Sequence, residues 1–181
     1  MIARLALAAA IALVVLGGLW ATAARLRPAV AADRYSVVDG DTLELRPKRC
    51  WLSRLGIGCL SQCLRLYGVD AFESAQSCRD DKGEIWACGE VATARLRALV
   101  AHPDFSCHVD REFVDRHARE FAICIAGGRD VGALLVREGL AFAYGRGAQY
   151  LSYETEARQE RRGAWAGSFV RPQFFRLGAA D

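Results

Sequence analysis

Asp39, Asp41, Asp70 and Glu73 are four carboxylates at the ends of short apolar segments, and Arg65 precedes Asp70 on the same segment. Together they read as a metal and phosphate constellation. Two carboxylates, a backbone carbonyl, waters and one oxygen of a bound anion satisfy a calcium ion, which takes about six to eight hard oxygen ligands. A guanidinium beside such an ion holds two phosphate oxygens at once. Each piece alone is ordinary. Asp-Gly-Asp-Thr at 39–42 taken singly is hairpin-turn chemistry, and a lone Arg or Glu at a strand end is a solvated surface residue. The combination carries the reading, and a second cluster, Asp115-Arg116-His117-Ala118-Arg119, adds two more arginines.

These side chains need a scaffold that brings segments some 80 residues apart into one place. Residues 35–38 and 42–45 read as two short strands around Asp39-Gly40-Asp41, because Asp-Gly accepts the positive dihedrals of a tight hairpin. Residues 46–63, with three cysteines, look like a loop insertion, and 64–69 alternates as a third strand. From 89 to 100 the apolar residues Val91, Ala94, Ala98 and Leu99 recur at helical spacing, with Pro103 just beyond. Residues 105–109 and 120–125 form a hairpin whose turn is expected near Asp115 and Arg116. Without a bulge, Cys107 and Cys124 then face each other across it at disulfide separation. Asp130 caps a second helix that ends before Gly139, and 152–162 is a third, more polar one. This order predicts an α+β fold, a five-stranded Greek-key barrel of OB type with about three α-helices.

The chain of 181 residues is 52% apolar, which suits one folded domain after a leader. Residues 5–24 carry no charge and follow Arg4. They are either a signal peptide, with small-x-small cleavage sites at 21–23 and 29–31, or a membrane anchor long enough to span a bilayer. Both readings divide the chain into a leader at 1–31 and a domain at 32–181. Both also place the domain outside the cytoplasm, as a periplasmic, secreted or anchored protein. The formal charge of +3 comes from Arg4, Arg25 and Arg27 in that leader, so the domain itself is neutral. A neutral domain does not draw a polyanion through overall charge; a local arginine cluster has to hold it. Seven cysteines in an oxidising compartment suggest disulfides with one thiol left over. Their spacing makes no convincing zinc site with the scattered histidines.

Three runs resemble the active-site motifs of the staphylococcal nuclease-like (thermonuclease) family, in the right order: Val37 to Thr42, Arg65 to Glu73 and Asp115 to Arg119. Residues 130–141 resemble the family's second helix, and the resemblance spans roughly 35–176. It implies calcium as cofactor, with DNA as substrate and RNA as an open second one. It implies that Asp41 and Asp70 ligate the ion together with the Ala71 carbonyl, with Asp39 behind them. Glu73 matches the carboxylate that accepts a proton from the attacking water, and Arg65 and Arg119 match the phosphate-binding pair. Tyr144 resembles an aromatic that packs by the nucleotide, and Arg116 joins it as a substrate contact. A Cys78–Cys88 bridge is common in exported members; the partners of Cys50, Cys59 and Cys63 stay open. Tyr150 and Tyr153 read either as base-stacking or as packing residues.

Three positions depart from the family pattern. Phe72 replaces a proline, which predicts a less rigid loop under Glu73. Ala118 replaces a glycine, costing about 1 kcal/mol if the dihedral there is positive. The insertion at 46–63 lies just before Arg65, where it would cover or reshape the site. The competing reading is a catalytically silent OB module that binds nucleic acid or a protein partner. No obligate protein partner is implied.

Overall fold

The computed structural model describes residues 34–46 and 61–178. The predicted leader, Cys50, Cys59 and most of the predicted insertion lie outside the described residues. Strand β1 (Tyr35–Val37) turns through Asp39-Gly40-Asp41 into β2 (Thr42–Leu45), and the two pair antiparallel. The turn is closed by the Asp41 N–H donating to Asp39 Oδ1 at 3.0 Å, the local bond that makes aspartate a turn residue. β2 buries Leu43 and Leu45 and pairs with β3 (Gln62–Leu66), which sets Thr42 opposite Arg65.

The single third strand expected at 64–69 is two strands. The chain breaks at Tyr67-Gly68 and resumes as β4 (Val69–Ala71). Gly68 has φ +70°, and a Cβ there would lie 2.6 Å from the Gly147 α-carbon, so only glycine fits this turn. β4 leaves the main sheet to pair with β10 (Ala141–Ala143), placing Asp70 opposite Phe142. A small hairpin, β5 (Cys78–Arg79) with β6 (Ile85–Trp86), then leads into helix α1 (Cys88–Val100), and the Cys78–Cys88 disulfide ties the two together.

β7 (Ser106–Val114) and β8 (Glu120–Ala126) form the second hairpin, with Cys107 opposite Cys124 and bridged to it. The turn spans 115–119 and centres on His117, later than expected near Asp115 and Arg116. A register irregularity between Asp110 and Val114 takes up the difference and restores the cysteine pairing. β8 runs parallel to β3, with Leu64 beside Glu120, giving the sheet order β1-β2-β3-β8-β7 with short β9 (Arg129–Asp130) on β8. Asp130 accepts from the Ala133 N–H at 3.1 Å and starts α2 (Val131–Arg137), and Gly139 ends it with φ +69°. Helix α3 (Leu151–Gln159) and the short α4 (Pro172–Phe175) follow.

The architecture is therefore α+β and OB-like, with ten strands rather than five and four α-helices rather than about three among the described residues. The extra strands are two- and three-residue pairings that no period-2 pattern can mark. Leu43, Leu64, Leu96, Val131, Leu135 and Val136 fill the core between sheet and helices. A smaller aromatic cluster of Phe72, Phe142, Phe169 and Trp165 packs edge to face beside the Cys78–Cys88 bridge. Among the described residues no helix is long and apolar enough to cross a membrane.

Candidate active site

The β1–β2 turn, the end of β3 and the start of β4 meet at one end of the sheet, bringing Asp41, Arg65 and Asp70 together. All three are buried, at 3%, 8% and 2% exposure. Arg65 bridges the carboxylates, with NH1 donating to Asp41 Oδ1 at 2.8 Å and NH2 to Asp70 Oδ1 at 2.7 Å. Asp41 Oδ2 accepts from the Ala71 N–H at 2.9 Å, and Oδ1 also accepts from the Thr42 hydroxyl. Burial pushes the Asp41 carboxyl up to about 7 against the pull of Arg65, with Asp39 and Asp70 adding repulsion. Burial also works against the Arg65 charge, yet its two carboxylates overcome that and hold the guanidinium above its usual range.

Glu73 stands half-buried on the loop after β4. The Phe72 that replaces proline does not loosen that loop, because its ring is fully buried against Phe142 and Phe169. Buried Gln76 also clamps it, accepting from the Glu73 N–H at 3.2 Å and donating to the Val170 carbonyl at 2.5 Å. Gly89 makes this clamp sterically possible, since a Cβ there would fall 1.7 Å from the Glu73 carbonyl oxygen.

Arg119 ends the 115–119 turn and leads into β8, the strand that runs parallel beside β3. Asp115 shapes that turn by accepting from the His117 and Arg119 N–H groups at 2.8 and 3.0 Å. Its other oxygen accepts from Arg119 Nε at 2.7 Å, and Arg119 NH1 reaches the Thr42 hydroxyl at 3.0 Å. Burial acts to raise the Asp115 carboxyl, but these bonds win and hold it below the usual range. Ala118 does adopt a positive φ, +58°, as its replacement of glycine made a concern.

A cleft of about 920 Å³ joins these parts; Arg65, Glu73, Arg119, Arg116, Tyr144 and Asp39 all line it. Five arginines line it against three carboxylates, the local positive cluster that a neutral domain requires to hold an anion. Tyr144 and Arg116 are exposed on its wall. Tyr150 is not part of it: the ring is buried and its hydroxyl donates to Asp130 Oδ2 at 3.0 Å, a packing role. Among the described residues no three His, Cys, Asp or Glu side chains group as a metal cage. The donors that would hold a divalent ion are two buried carboxylates and a backbone carbonyl, all hard oxygens of the kind calcium takes.

Sequence reasoning missed Arg176, one residue beyond α4. Its NH1 donates to Asp70 Oδ1 at 3.1 Å and to Glu73 Oε1 at 2.6 Å, and its NH2 to Asp70 Oδ2 at 3.0 Å. No local pattern announces a contact more than 100 residues away. Asp115, Thr42 and Gln76 were also missed as supports; the Asp-x3-Arg spacing of 115 and 119 was the only available signal.

This arrangement of an OB-like sheet, a buried Asp–Arg–Asp bridge and a second arginine on the neighbouring strand belongs to a recognisable class. A family model described as staphylococcal nuclease homologue matches residues 63–167, and the chain belongs to that family. The chain is 30% identical over 175 residues to a protein named micrococcal nuclease from Shigella flexneri, covering 89% of this chain and 84% of the other. It is also 31% identical over 136 residues to the succinoglycan biosynthesis protein ExoI of Rhizobium meliloti (strain 1021), covering 72% of this chain and 62% of that one.

Proposed function

We propose that this chain is a calcium-dependent nuclease that hydrolyses phosphodiester bonds of DNA, with RNA as an open second substrate. The observation that carries this reading is the convergence of Arg65, Glu73 and Arg119 on one cleft, with Arg65 also bonded to the buried carboxylates of Asp41 and Asp70. A phosphodiester is an anion and repels a hydroxide-like nucleophile. Arg65 and Arg119, carried by β3 and by the turn leading into its neighbour β8, offset that repulsion and stabilise the added charge of five-coordinate phosphorus. Loss of one such donor costs about 2.7–4 kcal/mol in comparable anion-stabilising sites. Glu73 takes the proton from the attacking water, a role worth about 100- to 10,000-fold when the group is within hydrogen-bond reach.

Asp41, Asp70 and the Ala71 carbonyl would hold the calcium ion, which would supply positive charge to the phosphate when bound. Asp39 holds the Asp41 backbone and so the ligand's direction. Tyr144 and Arg116 contact the nucleotide on the open wall. Residues 1–31 act as signal peptide or anchor and 32–181 as the exported catalytic domain; the two disulfides support an oxidising compartment.

The test is to incubate the oxidised full-length chain with single- and double-stranded DNA and with RNA, in calcium and in chelator, and to repeat with Glu73→Gln. Cleavage should need calcium and fall by about 100- to 10,000-fold in the variant. Cleavage that ignores chelator, or survives Glu73→Gln undiminished, would overturn the mechanism. Strand binding without cleavage by the parent chain would favour a silent binding module instead.

A further inference from the structure

Asp70 spends its acceptor capacity on two arginines of different standing. Oδ1 accepts from Arg65 and Arg176, and Oδ2 from Arg176 alone. Glu73 Oε1 accepts from the same Arg176 guanidinium. A cation ligated by Asp70 has to take an oxygen that a guanidinium now engages. It also brings two positive charges beside a guanidinium, and that repulsion disfavours keeping both arginines on Asp70.

Arg65 is not the one to yield, being buried in a strand and bonded to both carboxylates. Arg176 is far freer. Its side chain keeps 31% of its exposure, and it follows a helix of four residues, of which only Pro172 is buried. Phe174 and Leu177 on either side of it are exposed, Leu177 at 83%, so little apolar contact anchors the segment.

We infer that Arg176 is a built-in counter-cation that occupies the metal side of the cleft and is displaced by the divalent ion. While it is in place, it neutralises Asp70 and holds the carboxylate of Glu73. When the ion enters, the guanidinium leaves both, so filling the metal site and freeing the base are one event. Arg176 is thus a positioning residue that sets the cation requirement. The inference rests on the reading of Asp70 as a cation ligand.

Calcium binding, and terbium binding read by luminescence, are measured on the oxidised full-length chain and on Arg176→Ala and Arg176→Lys, with near-UV circular dichroism to verify folding. Removing a competitor that keeps the binding-competent state a minority species tightens apparent affinity by the inverse of that fraction. Arg176→Ala should therefore bind about tenfold more tightly or better, with Arg176→Lys between it and the parent. In the parent chain, which needs no substitution to fold, calcium should accelerate amide hydrogen exchange across 172–177. Affinity unchanged or weakened in a folded Arg176→Ala, or exchange in 172–177 that slows or stays the same, would overturn the inference while leaving the metal reading standing. Absence of cation binding in parent and variants alike would overturn both.

Discussion

The floor of the cleft and the turn at its rim each present an arginine, and they hold it by opposite means. On the floor Arg65 is encased: it lies on a central strand, and its partners are carboxylates taken out of water. On the rim Arg119 ends a five-residue turn and is directed by Asp115 and a hydroxyl, with solvent beside it. A buried ion pair repays its desolvation only with every partner in place, whereas a partly exposed one contributes at most about 1 kcal/mol. The same residue type is therefore tied into the fold on the floor and nearly independent of it at the rim.

Parallel alanine substitutions separate the two most strongly. Arg65→Ala should destabilise the fold by about 3–5 kcal/mol, since it strands buried carboxylates. That is a large share of the roughly 5–15 kcal/mol a domain has, and urea unfolding would show it. Arg119→Ala should leave the urea midpoint nearly unchanged while lowering cleavage by about 100- to 1,000-fold. Equal stability losses for the two would dissolve the distinction between floor and rim. A subtler probe is Asp115→Asn, whose amide oxygen keeps the backbone bonds of the turn while its NH2 replaces the oxygen that accepts from the Arg119 guanidinium. Cleavage should drop about tenfold, with the larger part in turnover if Arg119 acts on the transition state. The smallest effect belongs to Ala118→Gly. Relief of a left-handed alanine, about 1–2 kcal/mol, exceeds the extra unfolded-chain entropy of glycine, about 0.4–1 kcal/mol. The midpoint should rise slightly, with cleavage unaltered; a fall would mean the turn is not strained.

The floor was legible in the sequence because turn chemistry, alternation and charge coincide there: Asp39-Gly40-Asp41 makes a hairpin, and Arg65 sits in an apolar run where a charge is costly unless paired. The two capped and glycine-terminated ends of α2 were equally plain. The rim was misplaced by about a residue and a half, yet the cysteine pair came out right, because the irregularity in β7 offsets the late turn. Bulges of that kind leave no periodic signature. Phe72 misled for a different reason: rigidity at that loop comes from aromatic packing and from Gln76, neither of which a comparison of local motifs displays. Arg176 was invisible because its partners are brought to it only by the completed fold.

The β2–β3 hairpin has a consequence for how much the chain tolerates change. Thr42 and Arg65 share its rung nearest the cleft, and Leu45 and Gln62 its rung at the other end. Whatever sequence runs between 46 and 61 leaves and re-enters the sheet three rungs from Arg65, about 10 Å along the strands. The distance from Arg65 to Arg119 is set instead by the parallel ladder of β3 on β8. Descent with modification can thus lengthen, shorten or rewrite that connection without retuning the spacing of the two arginines, and a protein engineer has there an insertion port decoupled from that spacing.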